Sequence, residues 1–544
     1  MVSGGKVLAA ALAAHGVKRV FTVAGESYLP VLDALLDYPE IQVITCRQES
    51  GVTFMAEAHA QMTGEPAVAM VTRGPGACNA SIGIHAAKQS STPVIMFVGL
   101  ISIGDRDKEA FQEFDLPQMF DSLSKWSAVI DRAERISDYV SRAFHVARSG
   151  RPGPVVLGLP EDILFGSTDD ITAKVINSTS VKPSDDDVAA IVKTLAGAKR
   201  PLMIVGDNNW SDVACEDIAS FSSATHIPVA CAFRRQDIFN HNHANYIGEL
   251  GTGPNPALVE RVKQADVILC LGARLDEITT QIYTVPQRGQ VLIHAYPSAD
   301  IFAQSFAPDL AVVSDMAPLA GVLAAKGHTI DGRPWGGWRD AGRAEYLAWS
   351  NLDNAEPRAW KGADMTHIFK QLRDVLPSDA VVTTDAGNFS GWCQRYLRYG
   401  RPGRMLAPVC GGMGYGVPSA VAASLEYPDR IVVGFCGDGG FMMTGQELAT
   451  AMHHGATPII IICNNSMYGT IRMHQERDYP GRISATALTN PDFVKLADSY
   501  GAFAAVVDDS RDFTTVWKEA VASGKLAVIE IRMDPRQITT RSNP

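Results

Sequence analysis

The sequence lacks any excess of positive charge, since its 59 Asp and Glu outnumber its 48 Lys and Arg and give a net charge of −11 over 544 residues. A chain with this balance has no overall electrostatic attraction for nucleic acid or for an anionic membrane surface. The sequence also lacks a low-complexity tract, and no apolar run approaches the ~20 residues that span a bilayer. These absences favour a globular protein over a nucleic-acid-binding, disordered or membrane-spanning one.

The sequence also lacks the cysteine spacing of a disulfide-rich or zinc-binding protein. Its nine cysteines are odd in number, scattered, and never spaced as Cys-x-x-Cys. We therefore expect reduced thiols in a cytoplasmic protein. Near the N-terminus, Ser3 and Gly16 can begin and end a helix that precedes an apolar strand at 20–23, which favours a folded segment over a signal peptide.

One pattern recurs along the chain: a short apolar run, a Gly or polar turn, and then a helical stretch. The runs are apolar throughout rather than alternating, which is typical of strands buried on both faces of a parallel sheet. The predicted fold class is therefore α/β, with doubly wound, mainly parallel sheets. The predicted strands are 43–46, 67–72, 93–99, 155–159, 202–206, 266–272, 291–294, 380–384, 431–435, 459–463 and 527–531.

Two stretches interrupt this pattern and are predicted to link domains. Residues 165–187 are rich in Ser, Thr, Asp and Pro, and residues 326–360 carry many charges and a Gly- and Trp-rich segment. They divide the chain into three predicted domains at 1–165, 186–325 and 361–544. Each part is long enough to bury a core of its own.

The most informative segment is a predicted strand–helix–strand unit at 431–465. The first strand opens into Gly437-Asp438-Gly439-Gly440, a helical stretch ends at Gly455, and the second strand opens into Asn464-Asn465. A crossover of this kind is right-handed and places Asp438 and Asn465 beyond the carboxyl ends of two parallel strands. Open α/β sheets bind their ligands at that edge.

The residue types at this edge suit a metal ion and a phosphate group. Mg²⁺ takes six hard oxygen ligands and usually shares them with phosphates, and Asp438 and Asn465 offer a carboxylate and an amide oxygen. Gly439 and Gly440 let the backbone approach a diphosphate, and the helix start offers free N–H groups. Gly-Asp-Gly alone is more often a simple turn. Its combination with Asn-Asn after a second strand favours a metal and diphosphate site.

The segment from Gly437 to Asn465 resembles the signature of thiamine-diphosphate-dependent enzymes such as acetolactate synthases, pyruvate oxidases and 2-oxo-acid decarboxylases. The resemblance covers nearly the whole chain. It implies a pyrimidine-binding, a central and a diphosphate-binding domain, in that order. It also implies that Asp438, Asn465 and the Met467 carbonyl hold Mg²⁺. The neighbouring cofactor contacts that it implies are Gly387, Asn388, Gly439, Gly440, Tyr468 and Gly469.

Glu49 is the candidate for the carboxylic acid that activates the cofactor. Thiamine diphosphate loses its C2 proton through its own 4′-amino group once an acid hydrogen-bonds N1′ of the pyrimidine ring. Glu49 follows the strand at 43–46 and precedes an apolar helix, where a Glu alone would more often be a helix cap. The order Arg47-x-Glu49, an Ala-Glu-Ala helix and Arg73-Gly74-Pro75-Gly76 resembles the family's first domain.

The glycine-rich segment Gly411-Gly412-Met413-Gly414 resembles the loop that holds the cofactor bent in this family. The resemblance implies that Met413 lies between the two rings and that the Gly411 carbonyl accepts from the 4′-amino group. Without the Asp438–Asn465 pattern, a turn with a core Met would be the better interpretation. Gln112, in Phe111-Gln112-Glu113, matches acetolactate synthases and would contact a substrate oxygen, although a surface amide is the alternative.

Two residues depart from a biosynthetic acetolactate synthase. Glu26 stands on a loop that approaches the cofactor in relatives, where a smaller group is usual, and His474 stands where a Trp helps to select the acceptor. A solvated loop His is the alternative for His474. A second carboxylate would repel an anionic acceptor, so we expect a neutral acceptor or simple protonation rather than a second 2-oxo acid.

The central domain carries Gly251-Thr252 and a strand–turn at 271–276, as flavin-binding relatives do, but 292–297 lacks the acidic residues that several of them carry. FAD remains an alternative that we do not favour. The leading hypothesis is a carboligase or decarboxylase acting on a 2-oxo acid or related carbonyl substrate, and the alternative is a benzoylformate-type decarboxylase or 2-hydroxyacyl-CoA lyase. Glu49, Asp438 and Asn465 argue against a non-catalytic subunit. The family resemblance implies a homodimer or homotetramer.

Overall fold

Three parallel six-stranded sheets, each flanked by helices, follow one another along the chain. The computed structural model describes residues 1–169, 173–176, 179–207, 210–353, 360–401 and 403–540. The predicted fold class is confirmed, and every strand predicted from an apolar run is present within one or two residues. Within the described ranges, no helix is both long and apolar enough to cross a membrane.

The first sheet has the strand order β3-β2-β4-β5-β7-β6, and a two-stranded antiparallel sheet pairs β1 with β8. Ser3 caps the first helix by accepting from the Lys6 amide, as predicted. The strands are β1 (Val2–Ser3), β2 (Arg19–Thr22), β3 (Gln42–Thr45), β4 (Ala67–Thr72), β5 (Val94–Leu100), β6 (Trp126–Val129), β7 (Val155–Pro160) and β8 (Ser167–Thr168). The helices are α1 (Gly4–Ala14), α2 (Leu29–Leu35), α3 (Glu49–Thr63), α4 (Arg73–Gln89), α5 (Leu116–Phe120), α6 (Ile136–Arg148) and α7 (Glu161–Phe165).

The central sheet has the order β11-β10-β9-β12-β13-β14. Its strands are β9 (Pro201–Val205), β10 (Val229–Ala232), β11 (Tyr246–Leu250), β12 (Val267–Leu271), β13 (Val291–Tyr296) and β14 (Leu310–Val313). Its helices are α8 (Asp185–Ala196), α9 (Asp212–Thr225), α10 (Pro256–Gln264), α11 (Met316–Lys326) and α12 (Gly336–Trp349).

The third sheet has the order β16-β15-β17-β18-β20-β19. Its strands are β15 (Val381–Thr384), β16 (Arg404–Leu406), β17 (Val432–Gly437), β18 (Ile459–Asn464), β19 (Phe503–Val507) and β20 (Ala527–Arg532). Its helices are α13 (Met365–Val375), α14 (Ser390–Tyr396), α15 (Gly416–Glu426), α16 (Asp438–Thr444), α17 (Leu448–His454), α18 (Gly469–Asp478), α19 (Phe493–Ser499) and α20 (Phe513–Ser523).

The strands are apolar throughout because each sheet is covered on both faces. In β5 all seven residues are buried, and successive side chains enter different cores: Met96 packs in one core cluster and Phe97 in another. The first of these clusters also contains Phe54 of α3 and Val421 of α15, so the first and third domains share a core. This packing sets the two domains in a fixed relation.

Part of the second predicted linker is helical. Residues 326–360 contain helix α12, in which Tyr346 is buried and Glu345 pairs with Arg261 at 2.6 Å. The helix could not be recognised from the sequence, because several of its charged and tryptophan side chains make specific contacts instead of facing solvent. Residues 354–359 of this stretch, and 170–172 and 177–178 of the other linker, lie outside the described residues. The domain boundaries themselves stay a prediction.

Arg404 of β16 joins all three domains. Its guanidinium is 2.9 Å from Asp237 of the central domain, and it donates to the carbonyls of Gln61 and Met62 at the end of α3 at 2.8 and 2.6 Å. Arg404 and Asp237 are both buried. Because Arg404 binds Asp237 and the two α3 carbonyls at once, this buried ion pair fixes the arrangement of the domains around the site described next.

Candidate functional site

The predicted crossover at 431–465 forms the centre of the site. Strands β17 and β18 are parallel neighbours, with Gly437 opposite Cys463. Asp438 directly follows β17 and begins α16, and Asn465 directly follows β18. Both therefore lie at the carboxyl edge of the sheet, as the sequence predicts.

Asp438 is buried, with an exposed fraction of 1%. Burial raises the pKa of its carboxyl, and a hydrogen bond from Asn490 opposes that effect. Asn490 Nδ2 donates to Asp438 Oδ2 at 2.7 Å and to Asn464 Oδ1 at 3.0 Å. Asn490 thus links the ends of the two strands. The donors to this buried carboxylate are the Asn490 amide and nearby backbone amides, all of them neutral, so a cation would stabilise its charge.

A cavity of about 240 Å³ opens above this edge. Asp438, Asn465 and Met467 line it, and so does every other cofactor-binding residue predicted in the third domain. The lining residues from that prediction are Gly387, Asn388, Gly411, Met413, Gly439, Gly440, Tyr468 and Gly469. The structure therefore brings together residues from four separate turns. Their individual roles toward a ligand stay predictions.

Two glycines in this cavity have no room for a side chain. A Cβ on Gly439 would lie 2.5 Å from the Tyr468 ring, and one on Gly440 would lie 2.7 Å from Asp385 Oδ2. The backbone after Asp438 therefore packs directly against its neighbours. This packing explains why glycine is required at both positions independently of any ligand.

Asp385 holds the loop that carries Met413 through hydrogen bonds from backbone amides. The amide of Gly414 donates to both Asp385 carboxylate oxygens at 2.9 and 3.0 Å, and the Ala386 amide donates at 2.6 Å. Asp385 is fully buried, and loss of hydration raises its pKa to about 6 despite these amide donors. It ties the end of β15 to the Met413 loop.

The other two domains hold the same loop. Tyr415 Oη donates to Glu57 Oε2 of α3 at 2.6 Å, and Arg234 of the central domain donates to the Pro408 carbonyl. Thr92 also donates to Glu57, at 2.9 Å. Glu57 is buried, which raises its pKa, and the Tyr415 hydrogen bond opposes the rise. The Met413 loop therefore lies where all three domains meet.

Glu49 lies elsewhere in the chain. It begins α3 at the edge of the first sheet and is half-buried, and Asn79 Nδ2 of α4 donates to its Oε2 at 2.9 Å. It is not among the residues that line the cavity around Asp438. Within one chain, the predicted activating acid and the predicted metal ligands do not form one site.

Glu26 and Gln112 lie at the same edge as Glu49. Glu26 is largely exposed, and its Oε1 is 3.3 Å from Arg73 Nη1 at the start of α4. Arg73 also contacts Glu161, at 3.0 Å. The Gln112 carbonyl accepts from the Gly74 amide, and Gln112 lines a separate cavity of about 480 Å³.

The Arg73 contact changes the electrostatic argument from the sequence. The predicted repulsion of an anionic acceptor assumed a Glu26 carboxylate without a counter-charge. Arg73 and its two acidic neighbours, Glu26 and Glu161, together carry a net charge of −1. Their repulsion of an anionic acceptor is therefore weaker than the repulsion between that acceptor and an unpaired Glu26 carboxylate. No pattern in the sequence indicates this pairing.

His474 lies on α18, a helix without a single buried residue. It is exposed and does not line the cavity around Asp438. The preceding residue, Met473, contacts Asn388 through its sulfur at 3.5 Å. The structure therefore places α18 beside the cavity without bringing His474 into it.

Three family models match the chain: the N-terminal TPP binding domain of thiamine pyrophosphate enzymes at 2–119, the central domain at 188–323, and the C-terminal TPP binding domain at 385–531. An acetolactate synthase large subunit from Parasynechococcus marenigrum is 31% identical over 93% of this chain and 84% of that protein. The large subunit of acetolactate synthase isozyme 2 from Escherichia coli is 31% identical over 92% of this chain and 90% of that protein.

The chain belongs to the thiamine-diphosphate-dependent enzymes. A third relative, the acetolactate synthase large subunit IlvB1 of Mycobacterium tuberculosis, is 28% identical over 97% of this chain. This thiamine-diphosphate-dependent enzyme is therefore acetolactate synthase-like over nearly its full length, and the family predicted from the sequence is confirmed.

Three residues of the enzyme's site were missed by sequence reasoning. Asp385 directly follows the predicted strand 380–384, Asn490 lies in a loop far along the chain, and Glu57 lies within a predicted apolar helix. Asn490 reaches Asp438 because the segment after α18 pairs back on Met467, with the Tyr468 amide donating to the Thr486 carbonyl at 2.9 Å. Only Glu57, a charged residue in an apolar helix, carried a signal that could have been recognised.

Proposed function

We propose that this enzyme decarboxylates a 2-oxo acid and joins the remaining fragment to a carbonyl acceptor. The observation that supports this most directly is the cavity in which Asp438, Asn465, Met467 and the Met413 loop meet. The relatives named above are acetolactate synthases, whose name describes a reaction of this kind. Thiamine diphosphate, when bound, supplies an electron sink beside the carbonyl carbon.

Mg²⁺ is the proposed metal. Asp438 supplies a carboxylate, Asn465 an amide oxygen, and Met467 a carbonyl oxygen that accepts no hydrogen bond within the described part of the chain. No group of three His, Cys, Asp or Glu side chains suited to a metal occurs among the described residues. A donor set of hard oxygens favours Mg²⁺ over the transition metals that prefer nitrogen or sulfur.

The remaining proposed roles belong to the first domain. Glu49 would hold a proton at N1′ of the pyrimidine, and Gln112 would donate to a substrate oxygen. Neither lines the cavity of its own chain. In the proposed dimer a second copy of the chain would supply them, since a two-fold axis would set the first-domain edge of one subunit against the third-domain cavity of the other.

The surface around the Met413 loop supports this assembly. Ile82 of α4 and Met442 and Met443 of α16 are exposed by 38%, 51% and 45%. They flank the loop: a Cβ on Gly412 would lie 3.8 Å from Ile82, and one on Gly414 would lie 3.2 Å from Met443. Exposed apolar side chains beside an incomplete site fit a homodimer, or a tetramer of two dimers.

A substrate screen tests the proposed reaction. The enzyme with thiamine diphosphate and Mg²⁺ is incubated with a series of 2-oxo acids, CO₂ is measured in the gas phase, and the organic products are identified by mass. CO₂ together with a hydroxyketone supports the proposal, and Asp438→Asn provides the inactive blank. CO₂ together with an aldehyde alone would instead support the decarboxylase or lyase alternative. No CO₂ from any 2-oxo acid would contradict the proposal.

A mixing experiment tests the shared site. Glu49→Gln and Asp438→Asn subunits are each inactive in the proposed scheme, but a mixed dimer has one intact site. Mixed and re-equilibrated subunits should recover up to about a quarter of the wild-type activity, since half the dimers are mixed and each has one of two sites. Light scattering that finds a fully active monomer, or no recovery in verified mixed dimers, would contradict the scheme.

We also propose that the enzyme prefers a neutral acceptor and that it is cytoplasmic. The acceptor preference is supported by the net negative charge at Glu26, Arg73 and Glu161. The location is supported by nine cysteines that are all free. The disfavoured FAD stays an alternative for the central domain.

A further inference from the structure

A second cavity, of about 290 Å³, lies between the central and third domains. On the central side it is lined by the end of β11, the loop at 252–255 and the C-terminal part of α12, and on the other side by α14. Gly387 and Asn388 line this cavity and the cofactor cavity alike. Met473, the residue before His474, lines it too. A molecule in this space would therefore lie directly beside the cofactor.

Among the residues that the structure describes, Glu249 provides the one carboxylate in the lining. It is half-buried at the end of β11, and its Oε1 accepts only a long hydrogen bond of 3.4 Å from the Arg234 amide. Loss of hydration raises its pKa to about 7, and Arg234 partly opposes the rise. Near neutral pH this carboxyl can therefore both donate and accept a hydrogen bond.

Gly251 makes room for that carboxyl. A Cβ at this position would lie 2.2 Å from Glu249 Oε1 and 2.9 Å from Oε2. Any other residue would displace the Glu249 side chain. Gly251-Thr252 resembles a feature of flavin-binding relatives, but in the structure the missing side chain of Gly251 leaves space for the Glu249 carboxyl.

Gln394 of α14 lies on the opposite wall. Its exposed fraction is 8%, and its Nε2 has no hydrogen-bond partner among the residues that the structure describes. Buried amide donors nearly always have a partner in native proteins. Gln394 lines the cavity opposite β11, so a ligand oxygen there can pair with this donor once the side-chain amide turns toward the cavity.

Arg395, next to Gln394, is already held in place. It donates to the carbonyls of Trp349 and Thr540 at 2.8 and 2.9 Å, and its guanidinium stacks 3.7 Å from the Trp349 ring. These contacts leave a rigid wall rather than a free cation. The Gln394 donor and the Glu249 carboxyl are the two groups of the lining that the proposal below uses.

We propose that this cavity binds the non-reacting end of the carbonyl acceptor, and that this end is uncharged and bears hydroxyl groups. Gln394 donates to one hydroxyl oxygen, and Glu249 accepts from another. An anionic end would face the Glu249 carboxylate, and an apolar end would leave both groups unpaired. The inference rests on the proposed function, because it assigns the acceptor of that reaction.

The test compares two acceptor aldehydes of equal length in the holoenzyme, erythrose with hydroxyl groups and butanal without them, with pyruvate as donor. We expect a kcat/KM for erythrose at least about tenfold above that for butanal, the difference expected for one or two hydrogen bonds. Gln394→Leu should raise the KM for erythrose by about tenfold and leave the KM for butanal unchanged. Glu249→Gln, which keeps a donor and an acceptor, should retain most of the preference, whereas Glu249→Ala should lose it.

Gln304→Leu is the matched control, because Gln304 is exposed and does not line the cavity. Equal kcat/KM values for the two aldehydes in the wild type would overturn the proposal. So would a Gln394→Leu variant that loses activity equally with both, since that pattern belongs to a general structural defect. Exchange of the cofactor C2 proton should be the same in Gln394→Leu and the wild type.

A binding measurement separates this inference from the proposed function. If neither aldehyde is turned over, saturation-transfer NMR measures directly whether erythritol binds to the holoenzyme. Binding that Gln394→Leu abolishes and Gln304→Leu retains supports the site even when the reaction fails. Absence of erythritol binding, or its displacement by stoichiometric FAD, would overturn the inference.

Discussion

Tyr415 and Glu57 form a hydrogen bond of 2.6 Å that joins the Met413 loop of the third domain to helix α3 of the first. Both side chains are inaccessible to solvent. The bond therefore connects the loop expected to bend the cofactor with the helix that begins at Glu49. The Met413 loop and the helix that carries Glu49 are therefore held together within one subunit. In the proposed dimer, however, the two elements contact different cofactors.

Removal of this bond should disturb the loop more than the fold. In Tyr415→Phe the Glu57 carboxyl keeps Thr92 but loses a buried donor, which costs about 1–3 kcal/mol. We expect a lower unfolding temperature and, at saturating cofactor, slower exchange of the C2 proton measured by NMR. Glu57→Gln with Tyr415 intact should restore most of the exchange rate, and Tyr283→Phe on the exposed surface is the control. An exchange rate equal to wild type would show that the loop does not depend on this bond.

Glu49→Gln tests the activating acid. Gln keeps an oxygen for the Asn79 donor but cannot share a proton with N1′. We expect cofactor binding close to wild type and C2 exchange slower by at least ~10²-fold, the lower range for a positioned acid–base group. Glu40→Gln, at an exposed position, should exchange normally. Wild-type exchange in Glu49→Gln would remove Glu49 from the mechanism.

Asp438 and Asn490 give a graded test of the metal site. Asp438→Asn removes the carboxylate and should weaken Mg²⁺-dependent binding of thiamine diphosphate by at least ~10²-fold, while Asn490→Ala, which removes its donor, should weaken it by about 10–100-fold. Calorimetric titration with Mg²⁺ and with a chelator measures both. The exposed Asp498→Asn serves as control. The assignment fails if Asp438→Asn binds the cofactor as the wild type does while circular dichroism shows an intact fold.

Asp385 predicts a dependence of stability on pH. Its pKa is about 6 in the folded protein against 3.8 for an ordinary Asp, so the folded state holds the proton more tightly than the unfolded state. Its contribution to stability is therefore largest below pH ~4 and is lost as the pH rises through 6, by about 3 kcal/mol in total.

Asp385→Asn should remove that loss. Relative to wild type, we expect the unfolding temperature of Asp385→Asn to rise between pH 4 and pH 7, because the variant carries no buried charge at the higher pH. Calorimetric scans of both proteins across this range measure the difference, and Asp429→Asn at an exposed position corrects for general charge effects. A difference that does not change with pH would mean that Asp385 stays in one protonation state.

Glu26→Ser tests the charge beside the acceptor. The substitution changes the net charge of Glu26, Arg73 and Glu161 from −1 to zero. Because Glu26 is exposed, we expect the share of acetolactate among the products from pyruvate to rise only about two- to fivefold. Product analysis by mass spectrometry checks this, with Glu134→Ser as an exposed control. A wild-type enzyme that makes mainly acetolactate would show that the charge does not select the acceptor.

The elements that the sequence predicted best are those fixed by local rules. Strands β17 and β18 were predicted almost to the residue because continuous apolar runs ending in Gly-Asp-Gly and Asn-Asn leave little choice of period or boundary. Placing Asp438 beside Asn465 then required only the right-handed crossover.

The parts that sequence reasoning missed depend on contacts between distant segments. Asn490 reaches Asp438 through a loop that pairs with Met467, and Arg73 meets Glu26 across a gap of 47 residues in sequence. Helix α12 was not predicted because it has no recognisable apolar stripe. An ion pair between its Glu345 and Arg261 helps to hold it instead. Pairings of this kind follow from the tertiary structure, and no local pattern in the chain encodes them.

The position of Arg404 has a consequence for unfolding. Separating any one domain from the other two would leave its guanidinium, Asp237 or the carbonyls of Gln61 and Met62 without partners in the protein interior. Arg404 thus adds to the shared core and the Tyr415–Glu57 hydrogen bond in coupling the three sheets, so partial unfolding of one sheet destabilises the others. Heat or denaturant should therefore melt them in one cooperative transition instead of three successive ones.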